Sequence, residues 1–370
     1  MRILFAGGGT AGHINPAIAI ANFIKEKEPD SEFLFIGTEK GMESSLVPRS
    51  GYDIKFIRIH GFQRKLSFKN IKTVGEIFGG IGRVRKIIKD FKPDVVVGTG
   101  GYVAGPALAA AAMMKLPTLV HEANAYPGVT IRILSHFADV VALSMAEAAK
   151  FVPKAKRIEI TGNPVRPSIL AENQSSAKAK LGLGDEKVIL IFGGSLGAEK
   201  INQVATDWIS GVVAEEKYQI IMSTGKNNQF EKVMNRFKSN GIETEKYKKL
   251  MVSEYIYDMD LALNAADLII ARSGGSVSEM TALGKAAILI PSPYVAGNHQ
   301  EHNARAVEKS GGAVVISESE LCVDKLGAAV GHILEDEGVL EKMSRGSKSI
   351  GIPDSTERIY KILKELTKTE

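Results

Sequence analysis

The feature that most limits the fold is a succession of short, mostly apolar runs set between longer segments of helical period. One set occupies residues 3–6, 33–36, 54–57, 95–97, 118–120 and 140–143; a second occupies 188–192, 219–222, 268–270, 287–290 and 313–316. Strands buried on both faces read as continuous apolar stretches, whereas half-exposed strands alternate. The expected class is therefore α/β, a doubly wound parallel sheet, formed twice. A chain of 370 residues has room for two such domains, at roughly 150 residues each.

The two sets open alike. Ile3-Leu4-Phe5-Ala6-Gly7-Gly8-Gly9-Thr10-Ala11-Gly12 and Ile189-Leu190-Ile191-Phe192-Gly193-Gly194-Ser195-Leu196-Gly197 both read strand, glycine pair, hydroxyl residue, any residue, glycine, helix. The stretch Thr161-Gly162-Asn163-Pro164-Val165-Arg166-Pro167 suits neither helix nor strand and marks the boundary. The expected boundary falls between 163 and 164. Segment 355–368 reads as an amphipathic helix with Ile359, Ile362, Leu363 and Leu366 on one face. It can close the second domain or pack back on the first. Two such halves with their sheet ends facing would enclose a cleft.

Composition removes several classes. With 44% hydrophobic and 24% charged residues the chain is not of the disordered type. Cys322 is the lone cysteine, so no disulfide forms within the chain, which fits a reducing compartment. The apolar stretch 98–114 is broken by glycines and Pro106, and no signal-peptide core follows Arg2, so neither a span nor a leader is expected. The net charge of +5 matters through its concentration. Arg58, Arg64, Lys65, Lys69, Lys72, Arg83, Arg85, Lys86, Lys89 and Lys92 are opposed only by Glu76 and Asp90, and Phe62, Leu66, Phe68, Ile71, Ile77, Phe78 and Ile81 interleave. Three readings fit: an anionic membrane surface, a nucleic acid without a recognised module, or a solvated helix face.

Several loops carry candidate chemistry. Gly7, Gly9 and Gly12 match G-x-G-x-x-G between strand and helix, where free N–H groups favour phosphate. A dinucleotide site would also need an acid ending the second strand, and Phe35-Ile36-Gly37-Thr38 offers none. A structural tight turn is the other reading. His13 opens the first helix at a strand's C-terminal edge, where an imidazole can serve as general base or merely cap. Gly98-Thr99-Gly100-Gly101-Tyr102 permits close backbone approach, either to a ligand or between helix and sheet. His121-Glu122-Ala123-Asn124 ends the next strand and can meet a ligand or cap the following helix. In the second half, Ser195 among its glycines and Arg272-Ser273-Gly274-Gly275-Ser276-Val277-Ser278-Glu279 suit a diphosphate, with Glu279 reaching a ribose. Gln300 and Asn303 share a helix face. Asp258-Met259-Asp260 can hold a metal–diphosphate or, better, begin a helix. The histidines show no metal-ligand spacing.

In this order along the chain, these motifs resemble one family over nearly the whole length. It is the MurG-type transferases of bacterial cell-wall synthesis, the undecaprenyldiphospho-muramoylpentapeptide β-N-acetylglucosaminyltransferases. The resemblance rests on the first glycine loop with His13, Gly100-Gly101-Tyr102 to Pro106, His121 to Asn124, Thr161 to Arg166, Gly193-Gly194-Ser195, the Arg272 loop, and Gln300 with Asn303. The chain departs at Ala11, Ala123 and Leu196, where the family often has Gly, Gln and Gln, and its Arg272 loop is one residue shorter.

The resemblance implies a GT-B architecture, two Rossmann-like domains around a cleft, with the C-terminal helix returning to the first, so that the division is 1–163 with 353–370 against 164–352. It implies transfer of N-acetylglucosamine from its UDP donor to the muramoyl 4-hydroxyl of lipid I, giving lipid II with inversion and with neither metal nor cofactor. By that analogy Thr10, Ala11, Gly12, Asn124, Arg166, Ser195, Ile256, Ser273, Gly274, Gly275, Ser276, Val277, Ser278, Glu279 and Gln300 bind the donor side. Gly100, Gly101, Tyr102 and His121 bind the acceptor, and His13 is the base. Expected partners are UDP-N-acetylglucosamine, lipid I, anionic lipid at the cytoplasmic face of the membrane and other cell-wall synthesis proteins, with no nucleic acid. Rival expectations are a UDP-N-acetylglucosamine 2-epimerase, an NAD-dependent oxidoreductase and a non-catalytic nucleotide-sugar sensor.

Overall fold

A computed structural model describes residues 1–59 and 68–368, with side chains for all of these except 68–74, 77 and 78. The chain divides into two compact units, Met1–Pro164 with Asp354–Glu370, and Val165–Pro353.

The first unit alternates β1 (Arg2–Gly7), α1 (Ala11–Lys27), β2 (Glu32–Gly37), α2 (Glu43–Arg49), β3 (Asp53–Phe56), α3 (Phe68–Phe91), β4 (Val95–Gly100), α4 (Ala104–Met113), β5 (Thr118–Glu122), α5 (Val129–Leu134), β6 (Val140–Leu143) and β7 (Ile158–Ile160). The sheet is parallel, in the order β3-β2-β1-β4-β5-β6-β7. Side chains of β1 alternate between two cores. Ile3 and Phe5 pack with α1, while Leu4 and Ala6 pack with α4. That two-sided burial is the reason its sequence is apolar without alternation.

The second unit begins with α6 (Pro167–Leu170) and α7 (Gln174–Lys180). Pro167 sits at the first helical position, where its missing N–H costs nothing, so the boundary motif ends in a helix. Next come β8 (Val188–Phe192), α8 (Glu199–Val212), β9 (Gln219–Ser223), α9 (Gln229–Ser239), β10 (Leu250–Ser253), α10 (Met259–Ala265), β11 (Leu268–Ala271) and α11 (Ser276–Leu283). The unit ends with β12 (Ala286–Leu289), α12 (His299–Lys309), β13 (Ala313–Val315), α13 (Val323–Leu334) and α14 (Glu337–Ile350). Its parallel sheet runs β10-β9-β8-β11-β12-β13. Both sheets reverse their order beside the first strand, between β1 and β4 and between β8 and β11. This is where ligands of such sheets bind, beyond the strands' carboxyl ends.

Two strands exceed the sequence expectation, β7 and β10. Both are short edge strands that pair on one side only, and both are partly exposed; Glu159 interrupts β7, whereas β10 does carry a short apolar run, Leu250-Met251-Val252. The closing helix α15 (Ser355–Thr367) returns to the first unit, where Ile359, Ile362 and Leu363 join the core around α1. Burying each is worth about 1.5–3 kcal/mol. Tyr360 and Lys364 both donate 2.7 Å hydrogen bonds to Glu28 Oε1 at the far end of α1. Asp258 occupies the N-cap position of α10, in line with the helix-start reading of Asp258-Met259-Asp260.

Candidate active site

In the first unit the chain leaves β1 through Gly7-Gly8-Gly9-Thr10 and enters α1. The loop is packed by the protein's own groups. Gly9 N–H donates to Glu43 Oε2 at 3.0 Å, and Thr38 gives Glu43 Oε1 its N–H at 2.9 Å and its hydroxyl at 2.8 Å. Glu43 is fully buried. Thr99 Oγ1 donates to the His13 carbonyl at 2.7 Å. A Cβ at Gly101 would stand 2.2 Å from the Gly8 carbonyl, and its φ of +78° lies in the left-handed region, so the position admits only glycine. One at Gly100 would stand 2.6 Å from the His13 ring. Gly100 and Gly101 thus serve close packing against the first loop. Tyr102 lies over Gly9, a Cβ there coming within 3.3 Å of its ring.

His13 is half-buried, and its Nδ1 stands 3.1 Å from the Gly8 carbonyl and 3.2 Å from Thr10 Oγ1. A carbonyl only accepts, so Nδ1 carries the proton and Nε2 presents a lone pair. Burial lowers the imidazole pKa, opposed by the Gly8 bond and the Glu43 charge. A neutral ring with a free Nε2 lone pair is the form a general base requires.

His121 ends β5 fully buried, its Nε2 donating to the Gly162 carbonyl at 3.2 Å. Burial pushes its pKa down to about 4. Glu122 takes the N–H and side-chain amide of Asn124, each at 2.9 Å, and the Gly128 N–H before α5 at 2.9 Å. The capping reading describes Glu122, and its hold on the amide fixes Asn124.

The second unit repeats the loop with a different outcome. Gly193 to Ala198 line an open cavity of about 1020 Å³, shared with Arg272, Tyr294 and Gln300. Gly194, Ser195 and Leu196 are exposed, Leu196 by 65%, and Tyr294 by 82%. Arg272 is fixed at the cavity wall by an ion pair with Glu318 and by a 3.0 Å bond from Nη1 to the Ile290 carbonyl. After β11, Ser273 is fully buried and its hydroxyl donates to the Gln300 carbonyl at 2.7 Å, so it staples the loop to α12. Asn303 Nδ2 holds the Ser273 carbonyl at 3.0 Å. Gln300 Oε1 accepts the Ser292 N–H at 2.8 Å. Gly274, Gly275, Ser276, Val277 and Ser278 form the turn into α11, whose N-terminus carries no side-chain cap. Arg166 Nε donates to Glu279 Oε1 at 3.0 Å, joining two residues 113 apart in sequence. Ile256 lines a separate cavity of about 560 Å³ beside β10, with Tyr257 and Asp258. Among the described residues no group of three or more His, Cys, Asp or Glu is placed to hold a metal ion.

Sequence reasoning missed Glu43, Thr38 and the Arg272–Glu318 pair. For Glu43 the one signal was the pair of glycines at 37 and 41 preceding it: a Cβ at Gly41 would stand 2.2 Å from its carboxylate. The carboxylate takes the Gly9 amide that a dinucleotide's pyrophosphate would need, which counts against the oxidoreductase reading.

The chain matches the N-terminal domain of glycosyltransferase family 28 over residues 3–143 and the C-terminal domain of that family over residues 188–364. It is 48% identical to a UDP-N-acetylglucosamine–N-acetylmuramyl-(pentapeptide) pyrophosphoryl-undecaprenol N-acetylglucosamine transferase of Acetivibrio thermocellus, covering 100% of this chain and 99% of the relative. The crystal structure of Acinetobacter baumannii MurG superposes with a TM-score of 0.78 at 26% identity, covering 98% of this chain and 99% of that one. A Neisseria meningitidis UDP-GlcNAc 2-epimerase shares the fold, with a TM-score of 0.67 at 16% identity over 99% of this chain and 100% of that one. The chain belongs to glycosyltransferase family 28, and within it to the MurG-type N-acetylglucosaminyltransferases.

Proposed function

We propose that this protein transfers N-acetylglucosamine from UDP-N-acetylglucosamine to the muramoyl 4-hydroxyl of lipid I, forming lipid II in peptidoglycan synthesis. The observation that carries the chemical step is His13, with Nδ1 committed to the Gly8 carbonyl and Nε2 presenting a lone pair. The acceptor oxygen attacks the anomeric carbon from the face opposite UDP. Its proton passes to His13 Nε2, the anomeric C–O bond breaks, and the electron pair leaves on the UDP β-phosphate. One displacement inverts the centre through a transition state of oxocarbenium character, as in glycoside hydrolysis. The second unit's loops hold the donor. Ser195 and the turn Gly274 to Ser278 meet the diphosphate, Arg166 offsets its growing charge, Glu279 takes the ribose, and Ile256 and Gln300 complete the site. Thr10, Ala11, Gly12 and Asn124 are the first unit's donor-side residues, and Tyr102 with Gly100 and Gly101 shapes its acceptor side. His121 supports that side from behind.

The protein works at the cytoplasmic face of the membrane in this reading, alongside other cell-wall synthesis proteins. Arg83, Arg85, Lys86 and Lys89 are exposed on α3, opposite the buried Val84 and Ile88. Arg64 and Lys65, with Phe62 and Leu66, lie outside the described residues, as do the side chains of Lys69, Lys72, Phe68, Ile71, Ile77 and Phe78. Among the described residues no helix is long and apolar enough to cross a membrane. Binding to vesicles should require anionic lipid and weaken with salt; equal binding to neutral vesicles contradicts it. The test of function is transfer with purified lipid I. The expected result is lipid II formed in step with UDP release. Donor consumed without acceptor favours an epimerase instead.

A further inference from the structure

The peptide group joining Gly8 to Gly9 is held at both ends. Its N–H donates to Glu43 Oε2 at 3.0 Å, and its carbonyl accepts the His13 Nδ1 proton at 3.1 Å. We propose that Glu43 is a positioning residue for His13, acting through this one peptide group to fix the tautomer and orientation of the imidazole. The catalytic consequence rests on the reading of His13 as the base; the link itself does not.

The site is built for a carboxylate. Glu43 is fully buried, and among the described residues it has no ion-pair partner. A buried charge of that kind persists only when donors satisfy it, and Gly9 and Thr38 supply three. A Cβ at Gly8 would stand 2.7 Å from Oε1, so the glycine makes the room. A negative charge on the N–H side of a peptide polarises it and strengthens its carbonyl as an acceptor. The carbonyl then holds the proton on Nδ1 and leaves Nε2 as the basic atom.

Other charges do not replace it. On the elements packed against α1, Arg2 of β1 pairs with Glu32, and on α15 Arg358 pairs with Asp354, Lys361 with Glu357 and Lys364 with Glu28. Glu365 of α15 pairs with Arg157. Arg49 lies at the last turn of α2, away from Glu43 at its first. β4 carries no charged residue and Tyr102 follows it. Among all of these, Glu43 is the charge that acts on His13.

The test is nitrogen NMR of the full chain labelled at histidine, for the wild type and Glu43→Gln, alongside pH profiles of transfer. The wild type should show His13 as the Nδ1–H tautomer. In Glu43→Gln its titration should move down by about one unit and the Nε2–H form should grow. Transfer should slow about tenfold, with the acid limb moving with the imidazole and the KM for UDP-N-acetylglucosamine within about twofold. In the His13→Ala background the same change should slow transfer no further. An unaltered His13 titration and tautomer in a folded Glu43→Gln protein overturns the proposal. If that variant does not fold, the wild-type tautomer decides: Nδ1–H supports the proposal and Nε2–H overturns it. If the titration moves but the acid limb stays, the link to Glu43 stands and the role of His13 as base falls.

Discussion

The two glycine loops begin from nearly the same sequence and end in opposite states. The first is filled from within: Glu43 takes its amide, Gly100 and Gly101 press on it, and His13 closes it. The second is open, its tip at Gly194, Ser195 and Leu196 exposed over a cavity of about 1020 Å³. A strand–glycine–helix pattern therefore specifies a backbone that something can approach closely, without specifying what approaches. In the first unit the visitor is the protein, and the loop seats the His13 imidazole. In the second the space remains open.

The largest expected effect separates mount from receptacle. His13→Ala should cut transfer by about 100- to 10,000-fold while calorimetry shows UDP binding unchanged within about twofold; unchanged transfer removes His13 from the chemistry. Next comes the filled edge of the first unit. His121 is buried neutral with a pKa of about 4, below its unfolded value near 6.5. The unfolded state binds the extra proton between these values, so stability should fall as pH drops from about 6.5 to 4, by about 3 kcal/mol. Urea unfolding should show this slope reduced in His121→Gln, and an identical slope would show that the imidazole is not the group involved. A smaller effect contrasts the loops directly. Gly101→Ala meets the Gly8 carbonyl, whereas Gly194→Ala at φ +91° meets nothing within 4 Å. Thermal unfolding should place the first about 1–3 kcal/mol below the second; equal costs would mean that the first loop is not packed as described. Smallest, Glu279→Gln should weaken UDP binding about tenfold with transfer at saturating donor little changed, and a thermal shift by UDP matching the wild type's would free Glu279 from the donor site.

Much of the architecture was legible because its cause is local in sequence. Runs such as Val188 to Phe192 are apolar throughout since both sheet faces are covered, and the ends of α1, α8 and α11 follow glycine turns. β7 escaped because an edge strand needs no continuous run, as Glu159 in its middle illustrates. Of the site, His13, the loops and the Arg166–Glu279 pair were chosen as candidates, yet the pairing itself was not visible in a chain where those residues lie 113 apart. Ser273 was placed on the donor side by resemblance, and its hydroxyl is a buried staple to α12. The role of Glu43 was not legible, glycines 37 and 41 aside, because it is set by Gly9, 34 residues away, across the packing of α2 against α1.

The division of labour between the loops is tested most directly by backbone NMR of the full chain titrated with UDP. Amides from Gly193 to Gly197 and from Gly274 to Glu279 should shift and slow their exchange. The Gly9 amide, already donated to Glu43, should stay where it is. Saturable shifts at Gly9 with the second unit's loops silent would contradict it.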